Sequence, residues 1–320
     1  MKQIRTDLAI EMHEMLTEAA EELAGVSVDR EEKNGTQVSR VHIESLEAQS
    51  KMGRPIGTYI TVEFPELNVS DGEDYENLCH VIAEELSSLL PLSQNSKVLV
   101  VGLGNEGITP DALGPKVIGR LMVTRHLFTY MPEVLSEGIR SVCAIAPGVL
   151  GTTGMETGEI IQSLVERVRP DALIAIDALA ARSIDRISTT VQLCDTGIAP
   201  GSGVGNKRKA LDRSALGVPV IAIGVPTVID AATITADVLA WAADSLSEGA
   251  ESVKTALAKL DREEQYALFQ KAVPEAMGGF IVTPKDVDLT IDRVSRAIAG
   301  GINFALHKGI SLADMEAYIS

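Results

Sequence analysis

Two aspartates stand at the ends of hydrophobic runs in this 320-residue chain. Asp177 closes Ala172-Leu173-Ile174-Ala175-Ile176. Asp111 follows the run Val98-Leu99-Val100-Val101 by way of Gly102-Leu103-Gly104-Asn105 and Thr109-Pro110. In a parallel sheet the carboxyl ends of the strands share one edge, and ligands bind there. Two acids from two strands can therefore meet in one cleft. A carboxylate pair that shares a proton can activate water without a metal or a nucleophilic side chain, so hydrolysis is the leading chemistry. A carboxylate at the end of an Ile-Ala-Ile strand is also costly to leave unpaired.

Elements must bring these acids together. Between residues 97 and 247 short apolar runs alternate with helical patterns. Strands are expected at 97–103, 140–146, 171–177, 187–194 and 218–225, and helices at about 114–123, 157–168, 178–182 and 230–247. That alternation predicts an α/β fold: a wound, mostly parallel sheet with helices on both faces. Upstream, the apolar face of residues 6–25 predicts a helix capped by Thr6, followed by a polar stretch at 28–36. Segments 37–45 and 57–64 alternate as strands, and 74–91 reads as an amphipathic helix ended by Pro91. Residues 248–275 carry charge and alanine without strand pattern and read as a helical excursion or mobile insertion; a final helix is expected at about 286–307.

Hydrophobic content of 45% supports a sizeable core, and aromatic content of 3% makes that core Ile, Val, Leu and Ala. A net charge of −17 disfavours nucleic acid as a partner. No run is apolar and long enough to cross a membrane, and the start lacks an apolar signal region, so an intracellular protein is expected. Cys79, Cys143 and Cys194 form neither a disulfide framework nor a zinc motif. No two of the five histidines have metal-ligand spacing. Gly102, Gly104 and Gly107 formally fit a dinucleotide fingerprint, but Thr109-Pro110 interrupts the phosphate-binding helix. Gly201-Ser202-Gly203 lacks the spacing of a serine nucleophile elbow. The loop Pro200-Gly201-Ser202-Gly203-Val204-Gly205-Asn206-Lys207-Arg208-Lys209 can hold an anion or an extended peptide through its amides and three cations.

At these residues the chain resembles the germination proteases of endospore-forming bacteria. The blocks that carry the resemblance are Gly102-Leu103-Gly104-Asn105, Thr109 to Lys116, Thr124-Arg125-His126-Leu127-Phe128, Ile176 to Ser183, Pro200 to Lys209 and Val282-Thr283-Pro284-Lys285. They run from about 97 to 310, and the first 90 residues match more loosely. The resemblance implies an endopeptidase that degrades small acid-soluble spore proteins, the coat of spore DNA. It implies a self-processing zymogen, a homotetramer, and a location in the cytoplasm of the forespore and the spore core. The two catalytic aspartates fall on Asp111 and Asp177. The fold it implies is phosphorylase/hydrolase-like, similar to that of the hydrogenase maturation peptidases. Those share a Gly-x-Gly-Asn…Asp-x-x-Gly turn but use a metal, whereas this family implies no metal or other cofactor. The family cuts after the acid in a Thr/Ser-Glu/Asp-apolar-Ala-x-Glu pattern, and Thr6-Asp7-Leu8-Ala9-Ile10-Glu11 is the chain's own copy. Maturation would cut between Asp7 and Leu8. Residues 1–7 would then be a propeptide, short for the family, and 8–320 one peptidase domain with a smaller lobe or insertion including about 248–277.

On this reading one aspartate deprotonates water and the other protonates the carbonyl or the leaving amine. Amides near Gly102, Gly104 and Asn105, and near Ser202 and Gly203, are candidates to bind substrate and its oxyanion. Lys207 and Arg208 are candidates to meet acidic substrate positions. Two other classes remain open. A metal-assisted peptidase would lose activity to chelators and regain it with a divalent ion. An anion- or nucleotide-binding module would bind nucleotide saturably without cutting peptides.

Overall fold

The computed structural model describes residues 6–18, 23–64, 72–199, 209–235, 238 and 280–319. Among the described residues nine strands form one mixed sheet in the order β1-β2-β3-β7-β8-β6-β4-β5, with β9 paired to β8. Its wound half is parallel. There β5 (Ser141–Ile145) pairs β4 (Lys97–Gly102), β4 pairs β6 (Ala172–Ala181), and β6 pairs β8 (Val220–Asp230). The rest is an antiparallel wing of β1 (Val26–Lys33), β2 (Thr36–Ile43), β3 (Gly57–Glu63) and β7 (Thr190–Cys194), joined to β8 through β7. β9 (Ile281–Val282) lies antiparallel to the end of β8. The expected α/β class holds, and antiparallel pairs outnumber the parallel ones because every pair in the wing, and the pair of β9 with β8, is antiparallel.

Helices cover both faces. On one, α3 (Gly72–Leu89) and α7 (Val287–Leu306) cross over Val100, Ile174, Ile176 and Ile223. Gly301 permits that crossing, since a Cβ there would stand 2.5 Å from Ile82. On the other face α6 (Thr157–Val168) lays Ile161 and Val165 over Leu99, Val101 and Leu173. A separate apolar cluster joins α1 (Ala9–Glu18) and α2 (Leu46–Met52) to the wing through Leu8, Ile10, Met52, Tyr59 and Leu179. Shorter helices include α4 (Leu113–Ile118), α5 (Arg125–Tyr130) and α8 (Leu312–Ile319).

Several expectations change. The polar stretch at 28–36 is largely strand: β1 is an edge strand with most side chains exposed, so it carries no buried alternation. The first helix begins at Ala9, because Asp7 pairs with backbone instead of winding. No helix forms at 178–182, although Ala and Leu favour one. β6 runs on to Ala181 because β8 accompanies it to Ile229, and tertiary pairing overrides the local preference. Likewise β8 continues past Val225, and residues 231–235 are helical. The expected excursion at 248–275 lies outside the described residues.

One buried knot ties the end of α7 to the sheet. His307 is 1% exposed; its Nδ1 accepts from the Arg140 amide, and its Nε2 faces the Met122 carbonyl at 3.2 Å. Burial, with the Arg140 guanidinium adding to it, pushes the imidazole down to about 4. The ring is therefore folded neutral, while an unfolded chain takes up its proton near 6.5. Stability is full above pH 6.5 and falls as pH drops from there toward 4, by on the order of 3 kcal/mol from this group. Urea unfolding at pH 7 and pH 4.5 tests this: His307→Gln should flatten the pH dependence. An equally steep curve in the variant would remove His307 as its cause.

Candidate active site

Asp177 is placed by the parallel half of the sheet. Central β6 places it opposite Gly224 of β8, one residue beyond the last pairing of β4 with β6. It is 7% exposed, and its Oδ1 accepts from the Ala178 amide at 3.0 Å. Asp111 arrives from the neighbouring strand. After β4 the chain turns through Leu103–Ile108 into a single 3-10 turn, Thr109–Asp111, with Pro110 near its start. The amide of Asn105 donates to Asp111 Oδ2 at 2.8 Å. The amide of Gly107 donates to Asn105 Oδ1, and that of Leu103 to the Ile176 carbonyl.

Gly102, which ends β4, and Gly104 in this turn are close-approach positions. A Cβ on Gly102 would lie 2.3 Å from the Gly114 carbonyl oxygen at the start of α4. Gly104 has φ +109, and a Cβ there would lie 2.0 Å from the Asp111 carbonyl oxygen. The turn thus shapes itself around Asp111, and the amides of Leu103, Asn105 and Gly107 are engaged within it rather than turned to an oxyanion. Thr227 of β8 holds the 3-10 turn from the other side. Its hydroxyl donates to the Pro110 carbonyl at 2.7 Å, and Thr283 donates to the Thr227 carbonyl at 2.9 Å.

Asp111 and Asp177 line one cleft of ≈ 340 Å³, and Asp7 lines it with them. Asp7 is held from several directions. Its amide donates to the Ala180 carbonyl at 2.8 Å, and the Ala180 amide donates to its Oδ2 at 2.9 Å. Ala180 sits at a register shift in the β6–β8 ladder. Arg54 Nη2 donates to the Thr6 carbonyl and stands 3.8 Å from Asp7 Oδ1. Gln192 Nε2 donates to the Asp7 carbonyl at 2.9 Å, and its Oε1 accepts from the Ala9 amide at 2.7 Å.

The rest of the segment is anchored as closely. Thr6 Oγ1 accepts from the Leu8 amide and donates to Glu11. The Glu11 carboxylate, 2% exposed, accepts from the amides of Arg182 and Ser183 at 2.8 and 2.9 Å. Burial raises its protonation range despite these donors and Arg186 nearby. Each polar residue of Thr6-Asp7-Leu8-Ala9-Ile10-Glu11 thus has a specific partner, and Leu8, Ala9 and Ile10 are fully buried.

Gly102, Gly104, Asn105, Asp111, Asp177, Asp7 and Leu8 therefore gather around one region. Ser202, Gly203, Lys207 and Arg208 lie outside the described residues. Among the described residues no three His, Cys, Asp or Glu side chains are grouped to hold a metal ion, and no helix is long and apolar enough to cross a membrane. Three residues at the site had no motif to announce them: Arg54, Thr227 and Gln192. The one signal available was polar character inside apolar runs, as in Val191-Gln192-Leu193. Chemically, the cleft sets two carboxylates beside a firmly held peptide, an arrangement able to direct water at a carbonyl.

Comparison with known proteins points to one family. A family model described as germination protease matches residues 5–253. A germination protease of Clostridium acetobutylicum is 46% identical over 100% of both chains. That of Caldanaerobacter subterraneus is 46% identical over 98% of this chain and 97% of its own. The Bacillus mycoides protein of the same name is 41% identical over 98% of this chain and 96% of its own. Among solved structures, a [NiFe] hydrogenase maturation protease of Thermococcus kodakarensis aligns with TM-score 0.31 and 19% identity. It covers 45% of this chain and 80% of that one.

Proposed function

This chain belongs to the germination protease family, and we propose that it is a self-processing endopeptidase that begins the degradation of small acid-soluble spore proteins during germination. It cuts after the acid of a Thr/Ser-Glu/Asp-apolar-Ala-x-Glu pattern, using Asp111 and Asp177 as a pair. It works in the spore core as a homotetramer, on protein and not on nucleic acid or membrane. Residues 1–7 are its propeptide, and 8–320 are the peptidase.

One observation carries this reading: the chain's own copy of the pattern runs past the cleft that Asp111 and Asp177 line, with Asp7 in its wall. The ionised aspartate takes a proton from water, and the water oxygen bonds to the Asp7 carbonyl carbon. The protonated aspartate gives its proton to the Leu8 nitrogen, and the C–N bond breaks. The pair titrates as a unit, so acid and base are roles of the pair.

The test is the intact mass of the full chain before and after incubation at mildly acidic pH. The expected result is loss of residues 1–7. A chain that keeps its mass, and also leaves a peptide containing Thr-Glu-Phe-Ala-Ser-Glu whole, would sink the proposal.

A further inference from the structure

We infer that Gln192 is the group that holds the carbonyl oxygen of the cleaved bond as charge develops on it, an inference that rests on the self-processing reading above. The amide of Gln192 spans the peptide on both sides of the Asp7–Leu8 bond. Nε2 donates to the Asp7 carbonyl oxygen at 2.9 Å, and Oε1 accepts from the Ala9 amide at 2.7 Å. The intervening Leu8 amide turns the other way, to Thr6 Oγ1. A flipped side chain would set its NH2 against the Ala9 N–H, so the donor is the atom facing the carbonyl.

Register places Gln192 where such a donor is useful. Gln192 of β7 lies opposite Gly224 of β8, and Gly224 lies opposite Asp177 of β6. Residues opposite one another across a ladder share a face. Gln192 and Asp177 therefore project from the same face two strands apart, about 10 Å between their Cα atoms, with a glycine between them. The carbonyl that Gln192 grips belongs to Asp7, which lines the cleft with Asp177 and Asp111. Gln192 is itself 6% exposed. A hydrogen bond from a fixed donor strengthens as the carbonyl oxygen gains charge, and it does so most where water is excluded. No proton leaves the amide; it stabilises the addition of water, while the aspartates move the protons. Because both contacts are to backbone, a substrate peptide can take them up once the leader has gone.

The experiment uses the full chain with the Thr-Glu-Phe-Ala-Ser-Glu peptide and with its ester analogue, in which the N–H of that Ala is replaced by oxygen. Gln192→Met and Gln192→Glu should lower kcat roughly 10²–10³-fold, with KM changed far less; the melting transition should stay cooperative but fall, because in Gln192→Met the buried Asp7 carbonyl and Ala9 amide lose their partner. The ester analogue should be cut more slowly than the peptide by the unsubstituted chain, yet no more slowly than the peptide by Gln192→Met, because the partner of that N–H is gone. An unchanged kcat in both variants overturns the role of Gln192 and leaves the protease reading standing. So does a full ester penalty retained in Gln192→Met. An unsubstituted chain that cuts neither itself nor the peptide overturns the protease reading and this inference together.

Discussion

Asp111→Asn and Asp177→Asn should each stop the removal of residues 1–7 and lower peptide cleavage roughly 10²–10⁴-fold. Asn is close to Asp in size, and its carbonyl can still accept from the Asn105 amide at position 111 or the Ala178 amide at 177. The fold should therefore persist, and the loss should fall on kcat. The two residues work as one unit on a single water and peptide bond, so the double variant should be scarcely slower than either single one. Mass spectrometry of the leader and steady-state cleavage of the peptide measure both effects. Full activity in either single variant ends the dyad. Losses that multiply in the double variant would make the aspartates independent contributors.

Arg140→Met should destabilise the fold by about 3–5 kcal/mol. Arg140 is 5% exposed, and among the described residues no carboxylate is recorded against it. Its guanidinium donates to carbonyls: Ser93 through Nε at 3.0 Å, and Ala305 and Leu306 through Nη1, both at 2.9 Å. Two of these belong to the last turn of α7, where unpaired carbonyls and the helix dipole both favour a cation. Methionine fills the space of the stem and leaves those buried acceptors unsatisfied. Lysine should recover only part of the loss, because one ammonium cannot fork to carbonyls lying in different directions. Urea midpoints of the three proteins decide it. A midpoint unmoved in Arg140→Met would show that the carbonyls find other donors.

The sequence exposes the wound half of this fold because β4, β6 and β8 are buried on both faces and written as apolar runs. The amphipathic helix at 157–168 is bounded as its pattern predicts. Less was legible wherever a partner decides the structure. β1 is Val-Ser-Val-Asp-Arg-Glu-Glu-Lys, an edge with little to bury. Ala178–Ala181 has helical composition and becomes strand because β8 lies beside it. Thr6 reads as a cap of the first helix, yet that helix starts three residues on at Ala9, and no pattern shows that Asp7 pairs with the backbone of a residue 173 positions away. The aspartates stood out because acids at strand ends are conspicuous. Gln192 did not, since a single amide in Thr190-Val191-Gln192-Leu193-Cys194 gives no spacing to read. Its meaning lies in contacts to Asp7 and Ala9 that only the folded chain makes.

The burial of Leu8 has a further consequence. It is fully enclosed, packed with Val41, Tyr59 and Leu179, and Asp7 beside it is 7% exposed. A cut between them would turn one neutral amide into an ammonium and a carboxylate, both formed where water is scarce. Charges in such a place cost several kcal/mol each unless they are paired and solvated. The new ends would be driven outward, and the first turn of α1 with them. Rejoining would require both ions to shed their water again. The place of this bond in the core would thus make its hydrolysis a ratchet, spring-loaded by solvation.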